Sequence, residues 1–256
     1  MTTRISKFIA DCGVASRRGA EDLIKNGDVA VNGKVIDMPV FFVDEKDIVT
    51  ADGKEIKKNA DIKLYMFHKP IDTMTTMRDP MGRKTIYDVL DTKYKNLKYI
   101  GRLDFKTTGL LLLTNDGDFA RKMSLPKNHI ERTYIATVDK YSVQKLNIAR
   151  HGACVDNIKY RPMVIEAIDE CIVLANSRYW LIMLQLTEAI DEHNLKITVT
   201  EGKKNEIRIV LKHIGSPVRA LHRISYGKIK LGNLGVGKIL EIDKKTIDTM
   251  LTNFLE

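Results

Sequence analysis

Near the N-terminus, apolar residues recur at the spacing of an amphipathic helix. This pattern predicts a first short helix, whose core-facing positions are Ile5, Phe8, Ile9 and Cys12. Thr2 or Thr3 is the expected cap of this helix, and Gly13 its expected end. The chain therefore opens with a helix that needs a partner to cover its apolar face.

A second helix and a hairpin supply that partner. Ser16 is a typical helix cap, and Asn26-Gly27 is a typical helix end. Ala20, Leu23 and Ile24 then face the first helix. In the following VAVNGKVI, Asn32-Gly33 lies between alternating apolar residues, which predicts a tight β-hairpin.

From Lys63 onward the apolar residues form runs of strand length. These runs are KLYMFHKP, KYIGRLD, GLLLLT, TYIATV, YWLIMLQLT and LKITVTEGK, and only short helices are predicted, around 86–90, 118–123 and 207–213. We expect an α+β protein with a small helix-helix-hairpin domain over residues 1–60 and a mixed, mainly antiparallel sheet domain over 61–256. The segment ADGKEIKKNADIK between them predicts a linker or a short edge hairpin.

One stretch of the larger domain combines a buried strand with a charged loop. In GRLDFKTTGLLLLTNDG, residues 101–117, four consecutive leucines predict a strand buried on both faces. The loop before them places Asp104 between Arg102 and Lys106. The strand should hold Asp104 in a fixed position. The local pattern alone is also satisfied if Asp104 only caps a turn or pairs with Arg102.

Charge indicates the kind of partner. Of 256 residues, 42 are Lys or Arg and 33 are Asp or Glu, so the formal net charge is +9. Arg17 and Arg18 lie in the first turn of the second predicted helix, where cations oppose the helix dipole. Two guanidinium groups beside free backbone N–H groups suit a phosphate, so nucleic acid is the expected partner. The alternative is a pair of solvated arginines.

Several function classes find no support in the sequence. Cys12, Cys154 and Cys171 form no CxxC pair, which favours a reducing, cytoplasmic setting over a disulfide framework or a zinc cluster. The apolar stretch 180–186 is too short to span a bilayer, so no membrane association is expected. His68, His213 and His222 match no metal spacing, and GVGK at 235–238 lacks the pattern of a phosphate loop.

The N-terminal segment ASRRGAEDLIKNGDVAVNGKVI resembles the S4 RNA-binding domain. This resemblance covers Arg4 to about Thr50 and implies RNA binding without specifying a reaction. The residues that it places toward RNA are Arg4, Arg17, Arg18, Lys25, Asn32 and Lys34.

Four later blocks, in order, resemble RsuA/RluB-type ribosomal RNA pseudouridine synthases that carry an S4 domain. The blocks are LYMFHKPIDTMTTMRDPMGRKTIYDVL, GRLDFKTTGLLLLTNDGDF, ERTYIATV and EGKKNEIRIVLKHIGSPVRALHRISYGKIKLGNL. The resemblance implies isomerisation of a uridine in ribosomal RNA to pseudouridine, with no cofactor and no metal. It also implies that the partner is ribosomal RNA or a ribosome assembly intermediate, and that the protein is a cytoplasmic monomer.

The same resemblance implies the roles of individual residues. Asp104 would be the catalytic carboxylate, Tyr134 would lie against the uracil, and Arg208 would supply a cation near Asp104. Either Ile207 or Leu221 would form the apolar wall, and the alternatives stay open. Further contacts to RNA are expected from Arg102, Lys106 and Lys203.

Two departures from the family pattern leave the target uridine open. The family usually reads Asn-Lys-Pro where this chain has His68-Lys69-Pro70. It also usually reads Asn-Arg-Gln-Ile-Arg-Arg-Met where this chain has Asn205-Glu206-Ile207-Arg208-Ile209-Val210 after Lys204.

Two rival functions stand beside the isomerase. One is a catalytically idle S4-domain protein that binds RNA in ribosome assembly, although such a protein has no need to keep Asp104, Tyr134 and Arg208 together. The other is an S4-linked RNA methyltransferase, which should show a glycine-rich turn for its cofactor after an early strand. No such turn follows KLYMF or YWLIMLQL.

Overall fold

The computed structural model describes residues 2–58, 61–168 and 193–252. The chain divides into two compact units, and the first comprises Met1–Lys63 with Asn96–Lys98 and Asn115–Gly117. The second comprises Leu64–Lys95, Tyr99–Thr114 and Asp118–Glu256. The domain boundary between residues 60 and 61 stays a prediction. The predicted strand YWLIMLQLT and Cys171 lie outside the described residues.

The first unit is built from two helices and short strands. Its elements are β1 (Thr3–Arg4), α1 (Ile5–Asp11), α2 (Arg17–Lys25), β2 (Val29–Val31), β3 (Lys34–Val35), β4 (Phe42–Val43), β5 (Val49–Ala51) and β6 (Lys54–Glu55). The helices pack against each other and against the strands around a small core of Ile5, Ile9, Ala20, Ile24, Val29, Val31, Ile36, Val43 and Val49. The predicted helix-helix-hairpin order is confirmed.

Most local sequence signals in this unit predict the observed structure. The Ser16 hydroxyl accepts a hydrogen bond from the Gly19 N–H at 3.0 Å, as a helix cap does. Asn32 and Gly33 have φ angles of 51° and 79°, the left-handed pair that a two-residue hairpin turn requires. The segment ADGKEIKKNADIK begins with an edge hairpin. In it β5 pairs with β6, which is the edge strand in the order β3-β2-β5-β6.

The predicted cap of the first helix is wrong. Thr3 belongs to β1, which pairs with β4, and Arg4 immediately precedes α1 without a side-chain cap. The first backbone N–H of the helix, that of Ile5, donates to the Phe41 carbonyl at 2.8 Å. It therefore needs no hydrogen bond from a threonine side chain. A backbone hydrogen bond beside the β1–β4 pair therefore replaces the predicted side-chain cap.

The second unit is a sheet with short helices. Its strands are β7 (Leu64–Lys69), β8 (Lys98–Ile100), β9 (Thr107–Thr114), β10 (Arg132–Val138), β11 (Ala153–Val155), β12 (Ile158–Tyr160), β13 (Val164–Ile168), β14 (His193–Val199), β15 (Val218–Tyr226), β16 (Ile229–Lys230) and β17 (Ile239–Glu241). Its α-helices are α3 (Gly117–Ser124), α4 (Val143–His151), α5 (Glu206–His213) and α6 (Lys244–Thr252), and 3-10 turns lie at Ile86–Asp88, Thr92–Tyr94 and Pro126–Asn128. No helix in the described ranges is long and apolar enough to cross a membrane.

Nine of the described strands form one mixed sheet. Its main order is β13-β14-β10-β15-β9-β7-β17, with β16 on β15 and β8 on β9. The β9–β15 pair is parallel, whereas the other pairs along the main order are antiparallel. The side chains of the leucine run, 110–113, are fully buried in β9. The mixed, mainly antiparallel α+β architecture is confirmed.

The parallel pairing of β9 with β15 depends on a glycine. Gly109 of β9 lies opposite Arg223 of β15 and has a φ of +104°. A Cβ added at Gly109 would lie 2.6 Å from the Arg223 backbone nitrogen and closer still to its carbonyl oxygen. Because backbone atoms cannot swing aside as a side chain does, only glycine fits here without a shift of β15.

We predict that Gly109→Ala destabilises the second unit by about 3 kcal/mol or more, because backbone strain and overpacking add at this position. Gly232→Ala is the matched control, since Gly232 also has a positive φ of +57° but has no atom within 4 Å of an added Cβ. That control should lose only about 1 kcal/mol. Urea denaturation of both variants measures the difference. Equal losses would mean that the close approach of β9 and β15 does not matter.

Candidate active site

A cleft of about 400 Å³ opens in the second unit where the loop before β9, the strands β10 and β15, and the start of α5 meet. Its lining is mainly charged and polar, with a few apolar residues. The lining residues are Gly101, Arg102, Leu103, Asp104, Thr107, Ser124, Pro126, Arg132, Tyr134, Arg161, Val199, Glu201, Gly202, Lys203, Lys204, Asn205, Glu206, Ile207, Leu221 and Arg223. Asp104 and Tyr134, far apart in sequence, share this space.

Asp104 lies on a loop that the backbone holds firmly. Its carbonyl accepts a hydrogen bond from the Thr107 N–H at 3.0 Å, which closes the turn into β9. On the other side, the Thr75 hydroxyl donates to the Leu103 carbonyl at 2.9 Å and accepts from the Leu103 N–H at 3.3 Å. The half-buried Asp104 carboxylate is therefore fixed at the cleft from both ends of its loop.

Lys69 supports the same loop from inside the protein. It is fully buried at the end of β7, and its Nζ donates to the carbonyls of Pro70 at 2.9 Å, Phe105 at 3.4 Å and Thr107 at 2.9 Å. Burial lowers the pKa of Lys69 to about 8, and the negative charge of Asp104 partly opposes this. A buried cation thus braces the backbone that follows Asp104.

Tyr134 and Arg223 are cross-strand neighbours on β10 and β15. Tyr134 is 8% exposed, and Arg223 is 1% exposed. The Arg223 Nη1 donates to the Tyr134 hydroxyl at 3.5 Å, and the guanidinium lies 6.0 Å from the centre of the Tyr134 ring. The ring is therefore held in place at the cleft by an arginine beside it.

The next cross-strand pair extends this stack. Arg132 lies opposite Tyr226, and its guanidinium is 5.0 Å from the centre of the Tyr226 ring. The Arg223 guanidinium is 5.1 Å from the same ring. Arginine and tyrosine thus alternate in the order Arg132, Tyr226, Arg223, Tyr134, which we call the arginine-tyrosine stack.

A β-bulge explains why Arg223 belongs to this stack. Thr133 pairs with Ser225, but the next residue, Tyr134, pairs with Arg223, so Ile224 is the extra residue of β15. A regular strand would place Ile224 opposite Tyr134. The bulge reverses the alternation and turns Arg223 and Leu221 toward the cleft.

The stack leaves positive charge in the cleft wall. Arg223 donates from Nε to the Leu110 carbonyl at 2.6 Å, and Arg132 donates to the carbonyls of Thr200 and Glu201 at 3.4 and 3.2 Å. Within residues 2–58, 61–168 and 193–252, neither guanidinium forms an ion pair, and the buried Arg223 Nη2 has no hydrogen-bond partner. Such a wall favours an anionic ligand.

Arg208 lies beside the cleft and does not line it. From the first turn of α5 its guanidinium donates to the carbonyls of Lys106 and Val218, each at 3.0 Å. Burial lowers the pKa of Arg208, and the charge of Asp104 opposes the shift. Arg208 is thus near enough to act on Asp104 through its field, while its hydrogen bonds go to the loop backbone. Its catalytic role stays a prediction.

The other residues predicted for this site separate into two groups. Arg102 and Lys203 line the cleft, whereas Lys106 is exposed and forms an ion pair with Asp72 at 2.8 Å. Ile207 and Leu221, the two alternatives for the apolar wall, both line the cleft. Both residues therefore contribute apolar surface to the cleft.

The predicted RNA contacts of the first unit lie mostly on exposed side chains. Arg17, Arg18, Lys25 and Lys34 are exposed, the first two in the opening turn of α2. Arg4 lies 3.7 Å from the Glu21 carboxylate. Their role in RNA binding stays a prediction.

Asn32 has a structural task in the same unit. Its side-chain Nδ2 donates to Asp47 at 2.8 Å, and its Oδ1 accepts from the Ile48 N–H at 2.9 Å. Both ends of the amide are therefore already bonded within the hairpin region, which leaves less of it for RNA.

Sequence reasoning missed a pair of buried carboxyl groups in the cleft wall. Glu206 is 5% exposed, and burial, followed by the neighbouring Glu201, raises its pKa to about 8. Burial also acts to raise the pKa of Glu201, but the Lys203 ammonium and the Arg161 N–H outweigh it and lower that pKa. The signal in the sequence was weak, because Glu206 has the position of an ordinary acidic residue in the first turn of a helix.

Two histidines lie near the sheet centre and stay neutral. The rings of His68 and His222 are 5.2 Å apart, and burial lowers the pKa of both, to about 3 for His222. Among the described residues, no cluster of three or more His, Cys, Asp or Glu side chains is arranged to hold a metal ion.

Comparison with protein families matches both parts of the chain. The model of the family described as RNA pseudouridylate synthase matches residues 63–213, and the S4 domain model matches residues 3–49. The first match contains Asp104, Tyr134 and Arg208, whose roles stay predictions.

Individual proteins agree with these matches. A Rickettsia typhi protein named as an uncharacterized RNA pseudouridine synthase is 32% identical over 99% of this chain and 98% of its own length. The Bacillus subtilis protein named ribosomal large subunit pseudouridine synthase B is 32% identical over 93% of this chain and 91% of its own. A crystal structure titled pseudouridylate synthase superposes with a TM-score of 0.64 at 24% identity, covering 96% of this chain and 98% of that one, and so supports the fold.

We predict that Arg223→Lys lowers the free energy of unfolding by about 2 kcal/mol, because lysine cannot keep both the bond to Leu110 and the planar contact with the two tyrosine rings. Arg219→Lys on the same strand is the control. Arg219 is 40% exposed, so this change should cost less than about 0.5 kcal/mol. Urea denaturation gives both values. Two equal, small losses would show that the arginine-tyrosine stack does not stabilise the sheet.

Proposed function

This chain belongs to the RNA pseudouridylate synthase family, with an S4 domain before the catalytic domain, and we propose that it isomerises a uridine of ribosomal RNA with Asp104 as the catalytic carboxylate. The observation that carries the proposal is the meeting of Asp104 and Tyr134 in one cleft whose wall holds unpaired buried cations. The large-subunit name of the Bacillus subtilis relative supports ribosomal RNA as the substrate class.

The reaction rearranges one nucleoside. The C1′–N1 bond of uridine breaks, the uracil turns while bound, C5 bonds to C1′, and the hydrogen of C5 leaves as N1 gains one. Asp104 either attacks the nucleoside or removes a proton to begin bond cleavage. Both roles need an ionised carboxylate held at a fixed place, which the Thr75 and Lys69 contacts to its loop provide.

Tyr134 holds the base during the turn. An aromatic face accepts a stacked uracil in more than one orientation, so the base keeps its contact while it rotates. Arg223 holds the Tyr134 ring in place, because its guanidinium lies beside the ring and donates a hydrogen bond to the hydroxyl. Ile207 and Leu221 add apolar surface that keeps water from the detached base.

Two groups of cations contribute to RNA binding, one in the cleft and one in the S4 domain. Arg102 and Lys203 line the cleft and bind phosphates near the target nucleotide, whereas Arg17 and Arg18 of the S4 domain supply sequence-independent affinity for the RNA backbone. We extend the proposal to a cytoplasmic monomer that acts on ribosomal RNA or on a ribosome assembly intermediate.

Release of label from RNA tests the proposed reaction. Ribosomal RNA transcripts tritiated at uridine C5 should release tritium when incubated with the protein, because C5 loses its hydrogen as the new bond forms. A binding protein or a methyltransferase acting elsewhere would leave the label in place. Absence of release from transcripts of both subunits and from assembly intermediates would overturn the proposed function.

Asp104→Asn should abolish the release of label while RNA binding and folding persist, because the amide is nearly isosteric but neither attacks nor accepts a proton. The exposed Asp91 provides the control, and Asp91→Asn should keep the rate within about twofold. Retention of more than about a tenth of the wild-type rate in Asp104→Asn would remove Asp104 from its role.

Replacing both Arg17 and Arg18 by alanine should weaken RNA binding without lowering the rate at saturating RNA. Each lost phosphate contact should reduce the slope of log affinity against log salt by roughly 0.7 for single strands or 0.9 for duplex. Lys244→Ala with Lys245→Ala removes the same charge from the first turn of α6 and serves as the control. An unchanged slope for the arginine variant would leave these residues as solvated surface.

A further inference from the structure

Two carboxyl groups lie side by side in the wall of the cleft. Glu201 follows β14, Glu206 is the first residue of α5, and their exposed fractions are 7% and 5%. Both line the cleft that holds Asp104. Neither is among the residues that the proposed chemistry uses.

The two groups have different partners. The Glu201 Oε1 accepts from the Arg161 backbone N–H at 2.7 Å, and its Oε2 accepts from the Lys203 Nζ at 2.7 Å. The Glu206 Oε1 is buried without a partner among the described residues, and after burial the neighbouring Glu201 carboxyl is the group that raises the pKa of Glu206 most. Because an ionised carboxylate only accepts hydrogen bonds, a bond between two carboxyls requires a shared proton.

The surrounding charges decide which group carries the proton. The charged groups that act on Glu206 most strongly are Glu201 and Lys203, and Lys203 already pairs with Glu201. On the neighbouring strands, Arg132 of β10 donates to the Glu201 carbonyl, and Arg223 of β15 donates to carbonyl and hydroxyl oxygens. Glu201 is therefore the ionised member, and Glu206 is the protonated one.

The proton stabilises the start of α5. Asn205, in the cap position with a φ of 53°, makes no side-chain cap. The Glu206 N–H donates to the Lys203 carbonyl at 3.2 Å, and the Glu206 carboxyl adds a second link between the first turn and the segment after β14. The next two residues are Ile207, in the cleft wall, and Arg208, whose Nη2 bonds the Lys106 carbonyl at 3.0 Å. Both residues follow directly on the residue that carries the proton.

We propose that Glu206 is a positioning residue, and that the proton it shares with Glu201 holds Ile207 and Arg208 in place for the reaction at Asp104. The inference rests on the proposed function. When the proton leaves to solvent, two negative charges face each other in a buried wall, so the first turn of α5 moves and isomerisation slows. The raised pKa of Glu206, about 8, puts this loss within reach of an ordinary assay.

Glu206→Gln separates this proton from other titrating groups. The amide still donates to Glu201 but does not titrate, so we expect the rate at saturating RNA to stay within about twofold of wild type at pH 7. Lys69, whose pKa is also about 8, titrates in both proteins, so the ratio of variant to wild-type rate isolates Glu206. That ratio should rise about fivefold or more between pH 7 and pH 9.

Two further variants complete the comparison. Glu206→Ala, which cannot donate, should lose about tenfold or more at pH 7. Glu166→Gln is the matched control, because Glu166 is 55% exposed and pairs with Lys196 on the surface, and its profile should follow that of the wild type. A ratio for Glu206→Gln that stays constant with pH, or a loss above tenfold at pH 7 in the folded variant, would overturn the inference.

Unfolding provides a readout that needs no RNA. The pKa of Glu206 is higher in the folded protein than the ordinary 4.5 of the unfolded chain, so the folded state holds more protons between about pH 4.5 and 8. Wild type should therefore lose stability relative to Glu206→Gln as pH rises through that window and then level off. A difference independent of pH would contradict the shared proton. Wild type that releases no label overturns the proposed function instead, so the two failures are distinguishable.

Discussion

The parallel contact between β9 and β15 is the constraint on which the cleft depends. Thr107 lies opposite Leu221 and Gly109 opposite Arg223, and the missing side chain at Gly109 lets the two backbones approach. The loop with Asp104 enters β9 at this point, while β15 carries the residues that face β10. The strand contact thus brings the carboxylate to the side of Tyr134, although no local feature of the sequence joins them.

Three buried cations lie in or beside the cleft, and the half-buried Asp104 carboxylate lines it. Lys69, Arg132 and Arg223 are desolvated, which costs free energy, and hydrogen bonds to backbone carbonyls and contacts with tyrosine rings offset part of that cost. Carbonyl oxygens carry no net charge, and among the described residues these three cations form no ion pair with a carboxylate. The fold therefore keeps an attraction for RNA phosphate that a fully paired interior would have lost.

Much of the fold could be predicted from the sequence, because its signals are local. The buried leucines of β9, the Ser16 cap and the Asn32-Gly33 turn each follow from a few adjacent residues. The local pattern singles out Asp104, and a family resemblance implies the roles of Asp104 and Tyr134. Both residues line the cleft.

Arg223 and Glu206 could not be found in that way. Period-two alternation back from Tyr226 points Ile224 toward Tyr134, and only the bulge in β15 turns Arg223 inward. Glu206 has the pattern of a solvated residue at a helix start, yet it is buried beside Glu201, which lies in the segment after β14. Such residues depend on strand pairing and packing, which have no short-range pattern.

The central claim is that Asp104 and Tyr134 act together on one uridine in the cleft. A crystal structure of Asp104→Asn bound to a ribosomal RNA fragment that contains the unreacted target uridine tests it most directly. We expect the substitution to stop turnover and, because the amide is nearly isosteric, to leave the shape of the cleft unchanged. We expect the target nucleotide to be turned out of the RNA, with its uracil against the Tyr134 ring and its C1′ within about 3.5 Å of the side chain of residue 104. A target uridine bound away from residue 104, with the cleft between β10 and β15 empty, would contradict it.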